Sequence, residues 1–354
     1  MIIGAGLAGS TLAWRLDQLG HSYRIMDSPK LACASKVAAG LINPVTGKWM
    51  TKSWAIDSLM PLALEFYGSI EKKLGVALYQ KLPIRRFFTN EEDGKRAARR
   101  IRNPRYKKCV GSILKAGDLP VGIRDDLGSV IIEQGSRVDV PLLLDTLKNY
   151  FKAKGRFIEA EFQEEALISK TAGSENLWTY QSLNLEVSKV VFCQGIHALK
   201  NTYFKNLPLI PIKGDILSLK LPQINLPQGI YYKQRWLHSL DENSQGCLCR
   251  IGATYEDGIS EVAPSTKAKE ALIQSLKSIL GAQVDYEIIN HSSGIRPTTE
   301  DTRPLIVQHP EHASLFAING LGSKGTSLAP LLSKVLLDYS INSKPLPTFS
   351  EDFK

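Results

Sequence analysis

No run in the 354-residue chain approaches the ~18 consecutive apolar residues that a membrane-spanning helix requires, so no span is expected. Cysteine is sparse: five residues, with neither paired CxxC units nor the Cys/His spacing of a zinc site, and Cys247 and Cys249 only two apart. A disulfide framework and a protein-held metal are both unsupported, and reduced thiols point to the cytoplasm. Missing as well are a GxSxG elbow, a P-loop and an HExxH helix, which leaves hydrolase and kinase chemistry without a foothold. The six histidines, His21, His197, His238, His291, His309 and His312, are scattered and none is assigned a role. The apolar opening from Met1 to Trp14 has no basic segment ahead of it and carries three glycines, unlike a signal peptide.

What is present is ordinary for a globular protein. Apolar residues make up 43% and charged residues 22%, with 27 Gly and 18 Pro, which excludes collagen, coiled coil and wholesale disorder. The length suits two domains, or one large and one small. The net charge of +9 is mostly local: ten Lys/Arg and only three Asp/Glu lie between Arg85 and Lys108.

The strongest local signal is at the start. Ile2 and Ile3 end a strand, Gly4, Gly6 and Gly9 form GxGxxG, and Leu12, Ala13, Leu16 and Leu19 line one helix face before Gly20 stops it. Ser22 to Met26 reads as the next strand, closing on Asp27. This is a βαβ half-unit with dinucleotide chemistry built in. Gly4 makes the tight turn, Gly6 admits a pyrophosphate, Gly9 lets helix and strand pack, and Asp27 accepts from ribose hydroxyls. A central strand usually runs ~5 residues, so a handful of apolar residues upstream of Met1 is expected in the natural chain.

Further along, a helix is predicted between Val138 and Lys154, opened by Asp139 and Pro141 and stopped by Gly155. Asn103-Pro104 interrupts any long helix in the basic segment. Strands are predicted at 156–160 and 189–193, and an antiparallel sheet from the apolar runs 216–221, 230–237 and 247–251. The end returns to α/β character, with strands at 305–307 and 315–318, a glycine-rich turn, and a helix carrying Leu328, Leu331, Leu332, Val335 and Leu336 on one face.

GxGxxG alone does not separate NAD from FAD. The C-terminal turn does: Asn319-Gly320-Leu321-Gly322-Ser323-Lys324-Gly325 feeds a helix, and a helix N-terminus with a lysine beside it suits the negative charge a flavin gains on reduction. With that turn in view, the sequence resembles the D-amino-acid oxidase family of FAD-dependent oxidoreductases, in its glycine oxidase and sarcosine oxidase branches. The matching pieces are GAGLAG at Gly4, SKVAAGLINP from Ser35, GSRVDVPLLLDTL from Gly135, VVFCQG ending at Gly195, IPIKGDIL from Ile210, RIGATYEDG from Arg250, SGIRPTTEDTRPLI from Ser293 and NGLGSKGTSLAP from Asn319. The last piece is also similar to the oxidoreductase half of a bifunctional bacterial enzyme that finishes a wobble-uridine side chain on tRNA.

The resemblance implies an α/β fold with a Rossmann-like FAD-binding domain assembled from 1–80, 137–207 and 293–354. An α+β substrate domain with a mostly antiparallel sheet takes 81–136 and 208–292. It implies noncovalent FAD, since no histidine or cysteine stands where some relatives attach the flavin. Ser35, Lys36, Ala39 and Gly40 occupy the segment that passes beside the flavin in relatives, and Gly195, Gly322, Ser323, Lys324, Gly325 and Thr326 complete the expected cofactor residues. Arg296 stands where the family places a carboxylate-binding arginine, with Arg303 as its rival and Glu300 or Asp301 as partners that could claim it instead. Tyr231 and Tyr232 lie on the strand that supplies a pocket tyrosine in relatives; alternation allows only one of them to face it, and Tyr232 is assigned to the site with Arg296.

The expected reaction is oxidation of the C–N bond of a small amino acid or secondary amine carrying a carboxylate, by hydride transfer to flavin N5. Oxidation of a carboxymethylaminomethyl group on tRNA is the alternative, in which the Arg85–Lys108 segment would hold phosphates. A solvated surface is the plainer account of that segment. A nicotinamide-only dehydrogenase and a binding module without redox activity are the remaining alternatives.

Overall fold

The computed structural model describes residues 1–117, 122–172, 175–222, 224, 226–243, 246–258, 261–342, 344–346 and 349. A six-stranded sheet forms the first half of the architecture, in the spatial order 157–159, 25–27, 2–3, 190–192, 315–319, 305–308. The first five strands run parallel and the last pairs antiparallel with its neighbour. The short strand Ile2–Ile3 at its centre is buried between Ile25–Met26 and Val191–Phe192.

Seven α-helices occur among the described residues: α1 (Leu7–Gln18), α2 (Ala34–Val37), α3 (Ile56–Leu74), α4 (Glu91–Arg102), α5 (Val140–Ala153), α6 (Thr266–Leu280) and α7 (Gly325–Asn342). Apolar faces of α1, α3, α5 and α7 merge into one core on one side of this sheet. A three-stranded antiparallel sheet, 167–172, 175–180 and 185–187, covers the other side through Leu167, Trp178 and Tyr180. The 19-residue α3 lies outside the elements read from the sequence. Pro61 sits in its second turn and removes the N–H that would bond the Asp57 carbonyl, a loss the helix absorbs through its buried stripe of Leu59, Ala63, Phe66, Tyr67 and Ile70.

The second half is a nine-stranded sheet in which neighbours are antiparallel except for Ile230–Lys233 beside Ile84–Phe87. One face packs on α6 through Leu217, Leu237, Ile251, Leu272 and Leu276. The run 230–237 is not one strand: the chain reverses at Gln234, whose φ is 64°, and Ile230–Lys233 pairs back on Arg235–Asn243. The apolar pattern reads through this turn because no glycine or proline marks it. Strand Glu287–Thr298 begins in the segment assigned to the substrate domain and ends beyond residue 293, pairing with Ile210–Leu221 along its length.

Helix α4 is built as its charges direct. Asn90 caps it by accepting from the Asp93 N–H, Glu91, Glu92 and Asp93 fill the first turn, and Arg99, Arg100 and Arg102 fill the last. It stops at Asn103, ahead of Pro104. No helix among the described residues is long and apolar enough to cross a membrane.

Candidate functional site

A cavity of about 1070 Å³ lies between the two sheets. At one end it meets the first glycine turn. Gly4 has a φ of +98°, and a Cβ there would stand 2.4 Å from the Cys193 carbonyl oxygen; a Cβ on Gly9 would stand 1.9 Å from the Gly4 carbonyl oxygen. Strand, turn and helix are therefore in backbone contact, and α1 starts directly behind the cavity wall with no side-chain cap from Gly6. Ser35 reaches across instead, its hydroxyl accepting from the Leu7 N–H at 3.2 Å.

Asp27 closes this end. One carboxylate oxygen accepts from the Ala5 N–H at 3.0 Å, which fixes the side chain beside the turn. Burial pushes its pKa up, against that hydrogen bond and the nearby Lys36 charge. A carboxylate that is costly to bury and only partly satisfied is a strong acceptor for sugar hydroxyls.

Of the residues expected to hold the cofactor, Gly4, Gly6, Asp27, Ser35, Ala39, Gly40, Gly195, Gly322, Ser323, Lys324, Gly325 and Thr326 line the cavity. Gly9 does not, consistent with a packing role, and neither does Lys36, which is exposed on α2. Sequence reasoning missed Asn319. Its buried amide donates to the Gly195 carbonyl at 2.8 Å while its oxygen accepts from the Gly320 N–H, so one side chain joins the two glycine turns. Lys324 lies on the wall at the start of α7, and burial, followed by the Arg303 charge, lowers its pKa.

At the other end the nine-stranded sheet presents a cross-strand row of Ile216, Gly252, Trp236 and Tyr232, with Arg86 next in register. Tyr232 and Trp236 line the cavity. Tyr231 points to the opposite face, where it stacks on Phe87 and donates to the Pro227 carbonyl. Trp236 carried no expectation, because the turn at Gln234 that brings it beside Tyr232 was not legible.

Arg296 also lines this end. Its guanidinium lies over Gly214, where a Cβ would come within 2.4 Å of its Cζ and Nη1 and closer still to Nη2. It donates to the Thr254 carbonyl at 3.3 Å, and no carboxylate among the described residues is within ion-pair distance. Glu300 and Asp301 do not claim it; Asp301 accepts from the Thr299 hydroxyl and the Arg303 N–H. Arg303 itself stacks over Trp54, off the cavity lining. The Pro297 carbonyl, next to Arg296, accepts from the Gly322 N–H at 2.9 Å and so ties this strand to the C-terminal turn.

Behind α2 a buried polar group supports the segment beside the cavity. Arg250 donates to the Val37 carbonyl at 3.0 Å, and Arg137 pairs with Asp139 at 2.8 Å. His238 shares this interior, and burial, aided by Arg137 and Arg250, pulls its pKa down to about 3. The folded protein therefore keeps His238 neutral while the unfolded chain takes up a proton below ~6.5. Stability from this group is full above that value and declines as the pH falls towards 3, by about 2 kcal/mol between neutral pH and roughly pH 5. His238→Leu is expected to shrink the drop in Tm between those two conditions; an unchanged drop would remove His238 as its source.

The family description "FAD dependent oxidoreductase" matches residues 1–339. This chain belongs to that family. FAD is the family's cofactor, and the cradle fits it: glycines where a Cβ would obstruct, a helix N-terminus behind them and a carboxylate at the next strand end. The chain is similar to glycine oxidase of Geobacillus kaustophilus, 24% identical over 95% of this chain and 91% of that protein. It is 27% identical to glycine oxidase of Bacillus subtilis over 56% of this chain and 52% of that protein. The chain thus spans about half the length of several curated relatives that it matches. Among these is the bifunctional tRNA 5-methylaminomethyl-2-thiouridine biosynthesis protein of Acinetobacter baylyi, 24% identical over 96% of this chain and 52% of that protein. In fold it matches iminodiacetate oxidase of Chelativorans sp. BNC1, with a TM-score of 0.78 over 100% of this chain and 98% of the other.

Proposed function

We propose that this member of the family oxidises the C–N bond of a small amine or amino acid that carries a carboxylate. The observation that supports this most directly is Arg296, a half-buried cation on the cavity wall with one long hydrogen bond to a carbonyl and no carboxylate of its own among the described residues. A guanidinium in that state takes a carboxylate bidentately. Tyr232 and Trp236 supply the apolar wall that orients the rest of the substrate and keeps water from it.

FAD is held noncovalently in this reading, by Gly4, Gly6, Asp27, Ser35, Ala39 and Gly40 on one side and Gly195 and Gly322–Thr326 on the other. When bound, it supplies the acceptor for the hydride that leaves the substrate carbon, and the resulting imine is hydrolysed by water. The positive charges of Arg296 and Lys324 favour the neutral form of a bound amine, so its extra proton is released to solvent before oxidation. Asn319 holds the two glycine turns at fixed separation.

The test is the absorption spectrum and its response to substrate. Purified protein is expected to be yellow, to release FAD on acid treatment, and to lose its flavin band on anaerobic addition of glycine, sarcosine, iminodiacetate or a D-amino acid. Protein that carries flavin but is bleached by none of these, and only by tRNA bearing a carboxymethylaminomethyl group, would replace this reading with the tRNA one.

A further inference from the structure

The basic segment that the sequence offered as a phosphate-binding face is spent, in part, inside the chain. Strands Val45–Thr46 and Thr51–Lys52 pair as a small hairpin, and Thr46, Ser53 and Trp54 at its base line the cavity. Three consecutive carbonyls at its tip are each taken by an arginine. Arg86 Nη2 donates to the Gly47 oxygen at 2.8 Å, Arg96 Nη1 to Lys48 at 3.0 Å and Arg100 Nη2 to Trp49 at 3.0 Å.

Each arginine is itself held. Arg96 pairs with Asp93 at 2.7 Å and lies over the Trp49 ring; Asp93 in turn accepts from the Thr89 N–H and hydroxyl. The Arg100 guanidinium lies over Tyr106, and that of Arg86 over Tyr232, the cavity tyrosine. Lys52 completes the grip by donating to the Arg105 carbonyl at 3.0 Å. Met50, at the tip with a φ of 50°, is fully buried beneath the hairpin. Arg86 thus bridges the hairpin tip and the wall at Tyr232.

We propose that Arg86, Arg96 and Arg100 are positioning residues that clamp the 45–52 hairpin as a wall of the cavity, so that the basic segment acts on the site from within. This rests on the cavity being the flavin and substrate site. Each guanidinium gives its hairpin carbonyl a single N–H while its plane lies over an aromatic ring, and lysine keeps the charge but not that planar, stacked placement. A phosphate-binding face makes a different demand: its salt-dependent affinity follows the number of cations, which an Arg-to-Lys exchange keeps and an Arg-to-Gln exchange removes. The two roles therefore separate in one pair of variants.

The holoprotein is compared with Arg96→Lys/Arg100→Lys, with Arg96→Gln/Arg100→Gln, and with a control, Arg99→Gln/Arg102→Gln, whose side chains do not hold the hairpin. Amide hydrogen exchange across 44–53 and iodide quenching of the flavin fluorescence are read for each, with bulk tRNA binding across salt concentrations alongside. Both clamp variants are expected to exchange these amides at least about tenfold faster and to raise the quenching constant about twofold, with FAD content retained and the control unchanged. Unaltered hairpin exchange in the clamp variants would overturn the proposal, as would faster exchange with no change in quenching. Loss of salt-sensitive tRNA binding in the Gln variants alone, with the hairpin unaffected, would overturn it in favour of a phosphate face. If the parent holds no flavin, the functional reading fails by itself, while the exchange data still decide whether the clamp exists. The Lys variants keep the net charge of α4 and guard against simple misfolding of the Gln pair.

Discussion

Gly6→Val is expected to purify colourless and folded. Gly6 lines the cavity at the start of α1, and even a Cβ there would stand 3.3 Å from the Ser35 hydroxyl and 3.5 Å from Cys33 Sγ. Two further methyl groups have only the cavity to enter, at the place proposed for the cofactor's pyrophosphate. Overpacking of this kind costs roughly 1 to 3 kcal/mol in a core, and here the cost falls on the bound state, weakening FAD by about tenfold to a hundredfold or more. Flavin content per protein after gel filtration measures it, with circular dichroism confirming the fold. Stoichiometric FAD in the variant would show that the pyrophosphate lies elsewhere.

Arg296→Ala carries the second large effect. Removing one member of a buried, charged hydrogen-bonded pair costs roughly 2 to 5 kcal/mol, so KM for a carboxylate-bearing amine is expected to rise between about thirtyfold and a few thousandfold. FAD content should stay as in the parent, since the substitution leaves the Pro297 carbonyl that holds the Gly322 N–H in place. Arg296→Lys should recover part of the loss, because charge returns without the fork. Turnover unchanged in the alanine variant would move the anchor away from Arg296, and Arg303, on Trp54 at the edge of the cavity, would become the next position to test.

Much of the first half of the site was readable, because it is local chemistry. Gly4, Gly6 and Gly9 are dictated by backbone contacts under 3 Å or by approach to a ligand, and Asp27 follows at the spacing one βαβ unit imposes. The second half depends on long-range pairing, which leaves weaker marks. Tyr232 could be assigned to the site from its strand, but the physical ground for preferring it to Tyr231 is the register of Ile230–Lys233 against its neighbours. Trp236 was hidden by a reversal at Gln234 that uses a left-handed glutamine in place of glycine. The segment from Thr46 to Trp54 gave no sign of lining a cavity, since its wall-forming role depends on a hairpin with two-residue strands. The charge of the Arg85–Lys108 segment was plain, yet Arg86, Arg96 and Arg100 each reach a backbone carbonyl of the hairpin, which no side-chain pattern encodes.

The hydrogen bond between the Gly322 N–H and the Pro297 carbonyl makes the end of strand Glu287–Thr298 and the C-terminal turn a single mechanical piece. Changes on this strand that reshape the surroundings of Arg296 are passed to the turn entering α7, so under the proposed function the strand answers to substrate and cofactor at once. Trp236 faces the same cavity from strand Arg235–Asn243, while Tyr232 beside it carries the Arg86 contact to the hairpin. Under the proposed function, divergence of substrate preference among descendants of this chain therefore has its freest ground at Trp236, where a new side chain alters the pocket wall away from both the Gly322 tie and the Arg86 contact.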